Sequence, residues 1–541
     1  MFFSRLTKLY ENKKQFLGFI STDFNGKNFT FVALDSNTNS IVGSKSFENV
    51  NTKELLDTIP TLEQLFKGIV IDLFQLDLHT TPYNVSFKFC QDLRKALNER
   101  HIPNYFVSEE YYLFTSLLIA SKIDLEFGDS VIMILPHKSP TPKALRKTFE
   151  LTIGEFKFTA DGYQLISYNE ELSLNLKAKP ELLYEKICET ITTRFCQNVI
   201  VASSNFKKVP FKKIFKSSNL FVSNEQIESY RKLFMIEKCK WLMDKSYIKN
   251  HIIQVFDRNL HIFGYFGSAK NVMDILKIDV NEALPISRSF NIAKSVPQLH
   301  MMFSSRKAIF GNHKEIPANC HRLRVTVNID EENFDKITLY QLCIENFDTL
   351  PSKLNELLPS KIPFIAFFDN SSVIAIYDEA TEGYDFLKEW NGMYGINCFI
   401  SFDQKKPKFG NDAMEVILTK NTFVVFDLLK IMSMPSDDIR IDKTWGFKFT
   451  KDCNNPVLLQ FDNFDGTIKE ASPEFLMALF LRQHLKAIQE SNNDDREKPK
   501  EIAFWIQKQK FNDEEYTRIQ EGIAKACQLL KIDCCFVGIE L

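Results

Sequence analysis

The sequence predicts a mixed fold, α/β and β, in which two α/β regions flank a β-rich middle. Three observations predict it. Strand-like runs and helical spacings between Phe16 and Lys245 follow the order βββαβαβα twice. Residues 251–345 alternate apolar and polar residues with almost no helical period, and the last third returns to a mixture of strand and helix.

In the first round, FLGFIS from Phe16, NFTFVALD and SIVGSKSF form a β-meander broken at Asn25-Gly26 and Ser36-Asn37. A helix at Lys53–Phe66, the strand GIVIDLF, a helix at Val85–Arg100, the strand NYFVS and a helix at Glu110–Lys122 follow. The second round has strands near Val131–Leu135, Thr148–Ile153 and Glu155–Phe158, then a helix at Pro180–Phe195, the strand NVIVAS and helical segments reaching Lys245. Duplicated βββαβαβα halves are the topology of the two-lobed actin-like ATPase fold, whose ribonuclease-H-like lobes hold nucleotide between them.

In the middle, LHIFGYF, VMDILKI, QLHMMFSS and RLRVTVNID read as a compact antiparallel β-sandwich. A polar connection at Glu345–Ile362 leads to the final region. There SPEFLMALFLRQHLKAIQES is a helix with Ser472 as N-cap, Pro473 in its first turn and Phe475, Leu476, Leu479 and Phe480 on one face. The charged run at 491–501 reads as a solvated loop.

Composition narrows the function classes. A formal net charge of −2 and the lack of a basic run with interleaved aromatics argue against a nucleic-acid partner. Nowhere do 18 apolar residues run together, so no membrane span is expected. Eleven cysteines without a C-x-x-C, two of them adjacent at Cys534-Cys535, fit reduced thiols in cytoplasm or nucleus better than a disulfide framework or zinc site. Glycine is scarce, 18 of 541 residues, where ~7% is usual. No GxGxxG and no GxxxxGK[ST] occurs, so the common phosphate-cradling loops are missing.

Several segments, in order, resemble the 70-kilodalton heat-shock chaperone family. NTFVVFDLLKIMSMPSDDIRIDKTWGFKF, with Phe426-Asp427 and Trp445-Phe447, resembles the segment leading into that family's first small subdomain. SPEFLMALFLRQHL resembles the next helix. WIQKQKFNDEEYTRIQEGIAKACQLLKIDCCFVGIEL resembles the following strand, the Phe511-Asn512-Asp513 turn, its helix and the strand after it. PFIAFFDNSSVIAIYDE and CFISFDQKKPKFGNDAM resemble the family's opening hairpin and third strand. The middle resembles its peptide-binding sandwich through VMDILKIDVNEALPISRSF and EIPANCHRLRVTVNID, with HIIQVFD as the interdomain linker. Within 1–249 the likeness is chiefly topological.

The resemblance implies three domains: a reduced actin-like core at 1–249, a peptide-binding-type sandwich at 250–350, and a second first lobe at 351–541 that reaches Leu541 where the family's connecting helix would begin. It also implies ATP or ADP with magnesium, if nucleotide binding survives. The phosphate turns, however, depart from the family pattern. The first copy reads Ile20-Ser21-Thr22-Asp23 and Leu135-Pro136-His137-Lys138-Ser139, where proline removes an amide donor. The adenosine-side turn is Ala202-Ser203-Ser204, where Cβ atoms would crowd a ligand. The second copy reads Phe368-Asp369-Asn370-Ser371-Ser372, and its lysine position falls on Leu429, with Lys430 one residue later.

Carried over by position, Glu109, Asp23, Asp369 and Glu540 are the catalytic candidates, and Ser203, Ser204, Ser371 and Ser372 the cofactor-binding ones. A glutamate at a strand end is also a common capping or solvated residue, and a lone aspartate is a poor magnesium site. Phe266, Val272, Met273, Phe290, Ala293, Leu299 and Met301 would line a peptide slot; alternation predicts the same residues as sandwich core. The expectation is a degenerate heat-shock-70-like protein binding unfolded polypeptide or a protein partner, with ATP chemistry weakened or lost. An active ATP-dependent chaperone and a non-catalytic scaffold are the alternatives.

Overall fold

The alternation in the first meander sends successive side chains to opposite faces of one sheet. The computed structural model describes every residue except 1, 10–13, 24–25, 50–51, 77–85, 138–147, 176, 203–208, 305–308, 492–497 and 541. A short helix α1 (Phe2–Leu9) precedes β1 (Phe16–Thr22), β2 (Asn28–Asp35), β3 (Ser40–Glu48), α2 (Thr52–Leu65), β4 (Phe66–Asp72), α3 (Ser86–Glu99), β5 (Asn104–Phe106) and α4 (Glu109–Ser121). The sheet order is β3-β2-β1-β4-β5, with an antiparallel meander and parallel pairing from β1 through β4 to β5. Phe16 and Ile20 join Leu55, Leu62, Phe89 and Leu93 beneath α2 and α3. Leu17 and Phe19 face a different cluster.

A second sheet repeats the scheme. It comprises β6 (Ser130–His137), β7 (Thr148–Thr159), β8 (Gly162–Asn175), α5 (Pro180–Cys188), β9 (Asn198–Ala202), α6 (Phe211–Ile214), β10 (Asn219–Ser223) and α7 (Arg231–Met243), in the sheet order β8-β7-β6-β9-β10. The two units exchange helices: α7 packs back on β1 and β4, and α4 packs on β6, β9 and β10. Leu17, Phe19, Phe234, Met133 and Ile200 thereby share one core.

Two expectations fail in this unit. The runs at 148–153 and 155–158 are one strand, and the third strand is β8. Gly154 is no break; it lies beneath the Phe156 and Phe114 rings, where a Cβ would come within 2.6 Å of Phe156. The helix expected to reach Phe195 stops at Cys188, and the turn after it is held by buried Glu155, whose carboxylate accepts from the Thr192 and Thr193 amides at 2.7 and 3.3 Å.

The middle is a sandwich of a four-stranded and a three-stranded antiparallel sheet. Its strands are β11 (Asn259–Ser268), β12 (Asn271–Ile278), β13 (Ile286–Ala293), β14 (Gln298–Ser304), β15 (Ile309–Lys314), β16 (Arg322–Ile329) and β17 (Asp335–Leu342), in the orders β12-β11-β14-β15 and β13-β16-β17. The β16–β17 turn plugs into the first unit: Phe334 packs against Phe74, Phe87 and Phe106, and Arg94 pairs with Asp330 and Glu332.

The connection at 345–362 is more than a polar link. It contains α8 (Leu350–Leu357), whose Leu350 and Leu354 cover Phe364, Ala366 and Phe368 on one face of a third sheet. That sheet holds β18 (Phe364–Phe368), β19 (Ser371–Asp378), β20 (Gly383–Phe386) and the strands Glu501–Ile506 and Asp533–Phe536, ordered as in the other two units. The expected third strand near Cys398–Asp403 falls elsewhere: Ile400–Ser401 belongs to a small separate sheet, and β20 pairs with β19 instead. The opposite face is covered by α9 (Asn411–Ile417), α10 (Leu428–Ser433), α11 (Pro473–Glu490) and α12 (Asp513–Leu529). Ser472 caps α11 by accepting from the Phe475 amide at 3.2 Å; Leu476 and Phe480 are buried, but Phe475 is half-exposed. Asn512 and Glu515 form a capping box on α12. Among the described residues no helix is long and apolar enough to cross a membrane.

Candidate functional site

The β18 run FIAFF is buried throughout, and the chain reverses at Asp369-Asn370, where Asp369 takes a left-handed φ of 48°. Aspartate tolerates that conformation better than most residues. Its buried carboxylate accepts from Arg322 Nε at 3.0 Å and Nη2 at 3.3 Å, and pairs with Lys510. Arg322 also donates to Gln507 Oε1 at 3.1 Å. Burial by itself raises a carboxyl, but these two cations hold Asp369 below its ordinary range. Arg322 opens β16, so a sandwich residue neutralises the turn that carries the Asp369 candidate.

The flanking residues are equally engaged. Ser371 Oγ donates to Asn397 Oδ1 at 2.8 Å, and Ser372 Oγ lies 2.9 Å from His484 Nε2 and accepts from Trp390 Nε1 at 3.2 Å. Both serines are fully buried, so their hydroxyls serve the core rather than a ligand. Asn370 Oδ1 accepts from the Asp427 amide at 3.2 Å, while its buried Nδ2 has no hydrogen-bond partner. Leu429 is buried, and Lys430 pairs with Asp442 rather than with Asp369.

Between this turn and the sandwich lies a cavity of about 620 Å³, bordered by Met273, Phe290, Ala293, Phe266, Asn370, Phe426 and Asp427. The expected slot residues divide here. Leu299 and Met301 are sandwich core. Phe266 stacks on Phe426 of the third unit with ring centroids 5.4 Å apart; Met273, Phe290 and Ala293 face the cavity, and Val272 is half-buried. The seat is closed by polar contacts. Asn271 Nδ2 donates to the Lys443 and Trp445 carbonyls at 2.8 and 3.0 Å, buried Lys294 is held by the Tyr394 and Gly395 carbonyls, and His321 Nε2 lies 2.7 Å from the Met393 carbonyl. Burial lowers the Lys294 ammonium to about 8.

The other candidates lie apart. Asp23 is exposed and caps its own hairpin, accepting from the Lys27 amide at 2.9 Å and Asn28 Nδ2 at 2.8 Å. Glu109 begins α4 and borders a cavity of about 380 Å³ with Tyr111, Tyr168, Ile252 and Arg258. Glu540 is exposed, its carbonyl accepting from Lys353. Ser203 and Ser204 lie outside the described residues. Among the described residues no group of three or more His, Cys, Asp or Glu is placed to hold a metal ion.

Sequence reasoning missed Arg322 and Lys510, which meet Asp369 across 47 and 141 residues of chain. It also missed Lys238. That side chain is buried with its Nζ 2.6 Å from Tyr111 Oη, 2.9 Å from His251 Nδ1, and over the Tyr105 and Trp241 rings at 4.1 and 3.5 Å. Burial, then Lys245, push its ammonium well below the ordinary lysine value. The unfolded chain therefore takes up a proton that the folded one refuses, and stability rises with pH up to the ordinary lysine pKa. Lys238→Met is expected to reduce that alkaline rise, leaving the parts that the lowered Lys245 and Lys294 contribute, while changing stability at pH 7 by less than ~1.5 kcal/mol. Urea unfolding at neutral and alkaline pH checks both.

No protein-family model matches the chain, and a search of curated proteins gives no match.

Proposed function

We propose that this chain is a heat-shock-70-like protein that binds polypeptide or a protein partner without nucleotide turnover. It would combine two actin-like lobes, a peptide-binding-type sandwich and a third, unpaired lobe seated on that sandwich. The shared strand order of the three sheets and the helix exchange between the first two support this architecture.

One place in the molecule carries the functional reading. At the 620 Å³ cavity, β12 and β13, each the edge strand of its sheet, border apolar side chains opposite a phosphate-type turn whose carboxylate Arg322 and Lys510 already neutralise. Edge strands offer unpaired backbone groups and alternate side-chain pockets, which is what an extended polypeptide needs. Magnesium wants several oxygens at near-octahedral geometry, and here it would have to displace two cations from a buried carboxylate.

Calorimetric titration with magnesium-ATP is expected to give no binding tighter than ~1 mM. A fluorescently labelled, permanently unfolded polypeptide is expected to bind, with an affinity that ATP does not alter. Tight magnesium-dependent ATP binding, or hydrolysis that Glu109→Ala abolishes, would establish the active-chaperone alternative instead.

A further inference from the structure

We propose that Cys188 and Cys196 form a redox-active pair that closes into an intramolecular disulfide on exposure to peroxide, tying the end of α5 to the base of β9. Their sulfurs lie 3.6 Å apart, within contact distance, although every cysteine in the structure is a free thiol. Two independent supports hold them there. Cys188 is the last residue of α5, which packs through Leu183 and Ile187 on the second sheet; Cys196 is buried in the same cluster beside Val199 and Val201. The turn between them is pinned where the Thr192 and Thr193 amides donate to Glu155.

The pair is asymmetric in a way that suits stepwise oxidation. Cys188 is half-buried and open to a small oxidant, while Cys196 is fully buried. Burial, then the neighbouring Cys188, push the Cys196 thiol up, so it stays protonated while Cys188 reacts. The Cys188 thiol gives its proton to solvent as its sulfur attacks one peroxide oxygen; the O–O bond breaks, sulfenic acid forms, and the departing hydroxide takes up a proton and leaves as water. The Cys196 sulfur then attacks that sulfenic sulfur: the S–S bond forms, the S–O bond breaks, and the departing hydroxide leaves as water with the Cys196 proton. Two thiols are oxidised and one peroxide is reduced to two waters. Closing the gap to the ~2.05 Å of a disulfide requires the sulfurs to approach by roughly 1.5 Å, within reach of side-chain rotation and a small shift at the helix end.

Exposure alone predicts a different product, because Cys343 and Cys453 are more accessible than either member of the pair. The test is therefore a competition within the full-length protein. The chain is treated with one to a few equivalents of hydrogen peroxide, remaining thiols are alkylated under denaturing conditions, and peptides are mapped by mass. The expected first product links the Cys188 and Cys196 peptides with loss of two hydrogens and is reversed by dithiothreitol. In Cys188→Ser, Cys196 is expected to remain fully alkylatable under the same treatment. If chain-to-chain disulfides through Cys343 or Cys453 form first, or Cys188 advances to sulfinic acid unpaired, the proposal is overturned. The wild-type map decides this even if the variant folds poorly.

Discussion

Lowering the pH from 7 to 5 is expected to remove about 6 kcal/mol of folding stability, roughly 2 kcal/mol from each of three buried histidines. Burial is the first cause in each case. It takes His251 to about 2, with Lys238 and Lys245 adding to the effect. It takes His321 to about 4 and His484 to about 3, opposed by the hydrogen bonds to the Met393 and Phe480 carbonyls, with Lys294 and Arg322 adding to the lowering at His321. Each folded value lies below the unfolded 6.5, so the unfolded chain binds protons first. Stability is then lost as the pH falls below about 6.5, and the loss continues until each folded value is reached. The hydrogen bonds give the same answer independently. His321 Nδ1 accepts from the Ile344 amide at 2.9 Å. With His484 Nδ1 donating to the Phe480 carbonyl at 3.1 Å, its Nε2 accepts from Ser372 Oγ. His251 Nδ1 accepts from Lys238. A second proton on any of these rings removes an acceptor from a buried network, which is costly. Urea unfolding at pH 7, 6 and 5 checks the slope, and His484→Gln is expected to remove about a third of it. A pH-independent midpoint over that range would mean that the rings are solvated.

The repeat of strands and helices was legible because its signals are local. Turn residues bound the meander, and Ser472 and Asn512 mark helix starts within four residues of what they cap. Misreadings arose where tertiary packing overrides the local signal. β8 is half-exposed along most of its length and carries no clean alternation, and Gly154 reads as a strand break unless one sees the aromatic rings above it. The 345–362 segment reads as polar, yet Leu350, Leu354 and Leu358 suffice to cover a sheet face. The candidate site was legible only as positions. Alternation marks Leu299 and Phe266 alike as inward residues of a sandwich. Leu299 is core through the sandwich itself, whereas the seating of the third unit makes Phe266 a contact with Phe426. Likewise Asp369 could be found as a turn carboxylate, but nothing in its neighbourhood of sequence announces the two cations that neutralise it.

The seating of the third unit is itself testable at one glycine. Gly267, with φ at 86°, lies near the end of β11 against the third unit; a Cβ there would lie 1.9 Å from the Ile417 carbonyl oxygen and 3.0 Å from Asn421 Cβ. No side-chain adjustment relieves a clash with a backbone carbonyl. Positive φ alone costs a non-glycine residue roughly 1–2 kcal/mol, and the overlap with Ile417 adds to it, so Gly267→Ala is expected to cost more than ~3 kcal/mol at this interface. The natural control is Gly466→Ala. Gly466 has φ at 77° but nothing within 4 Å of its Cβ position, so that variant carries the strain without the collision. Limited proteolysis should then cut the 343–363 connection faster in Gly267→Ala than in Gly466→Ala, with β11 to β17 still folded through their own core. Release of the unit also exposes Phe266, Met273 and Phe290, so polypeptide binding is expected to strengthen in the same variant if the third unit restricts access to β12 and β13. Equal proteolysis of the two glycine variants would show that the unit does not sit on the sandwich through Gly267.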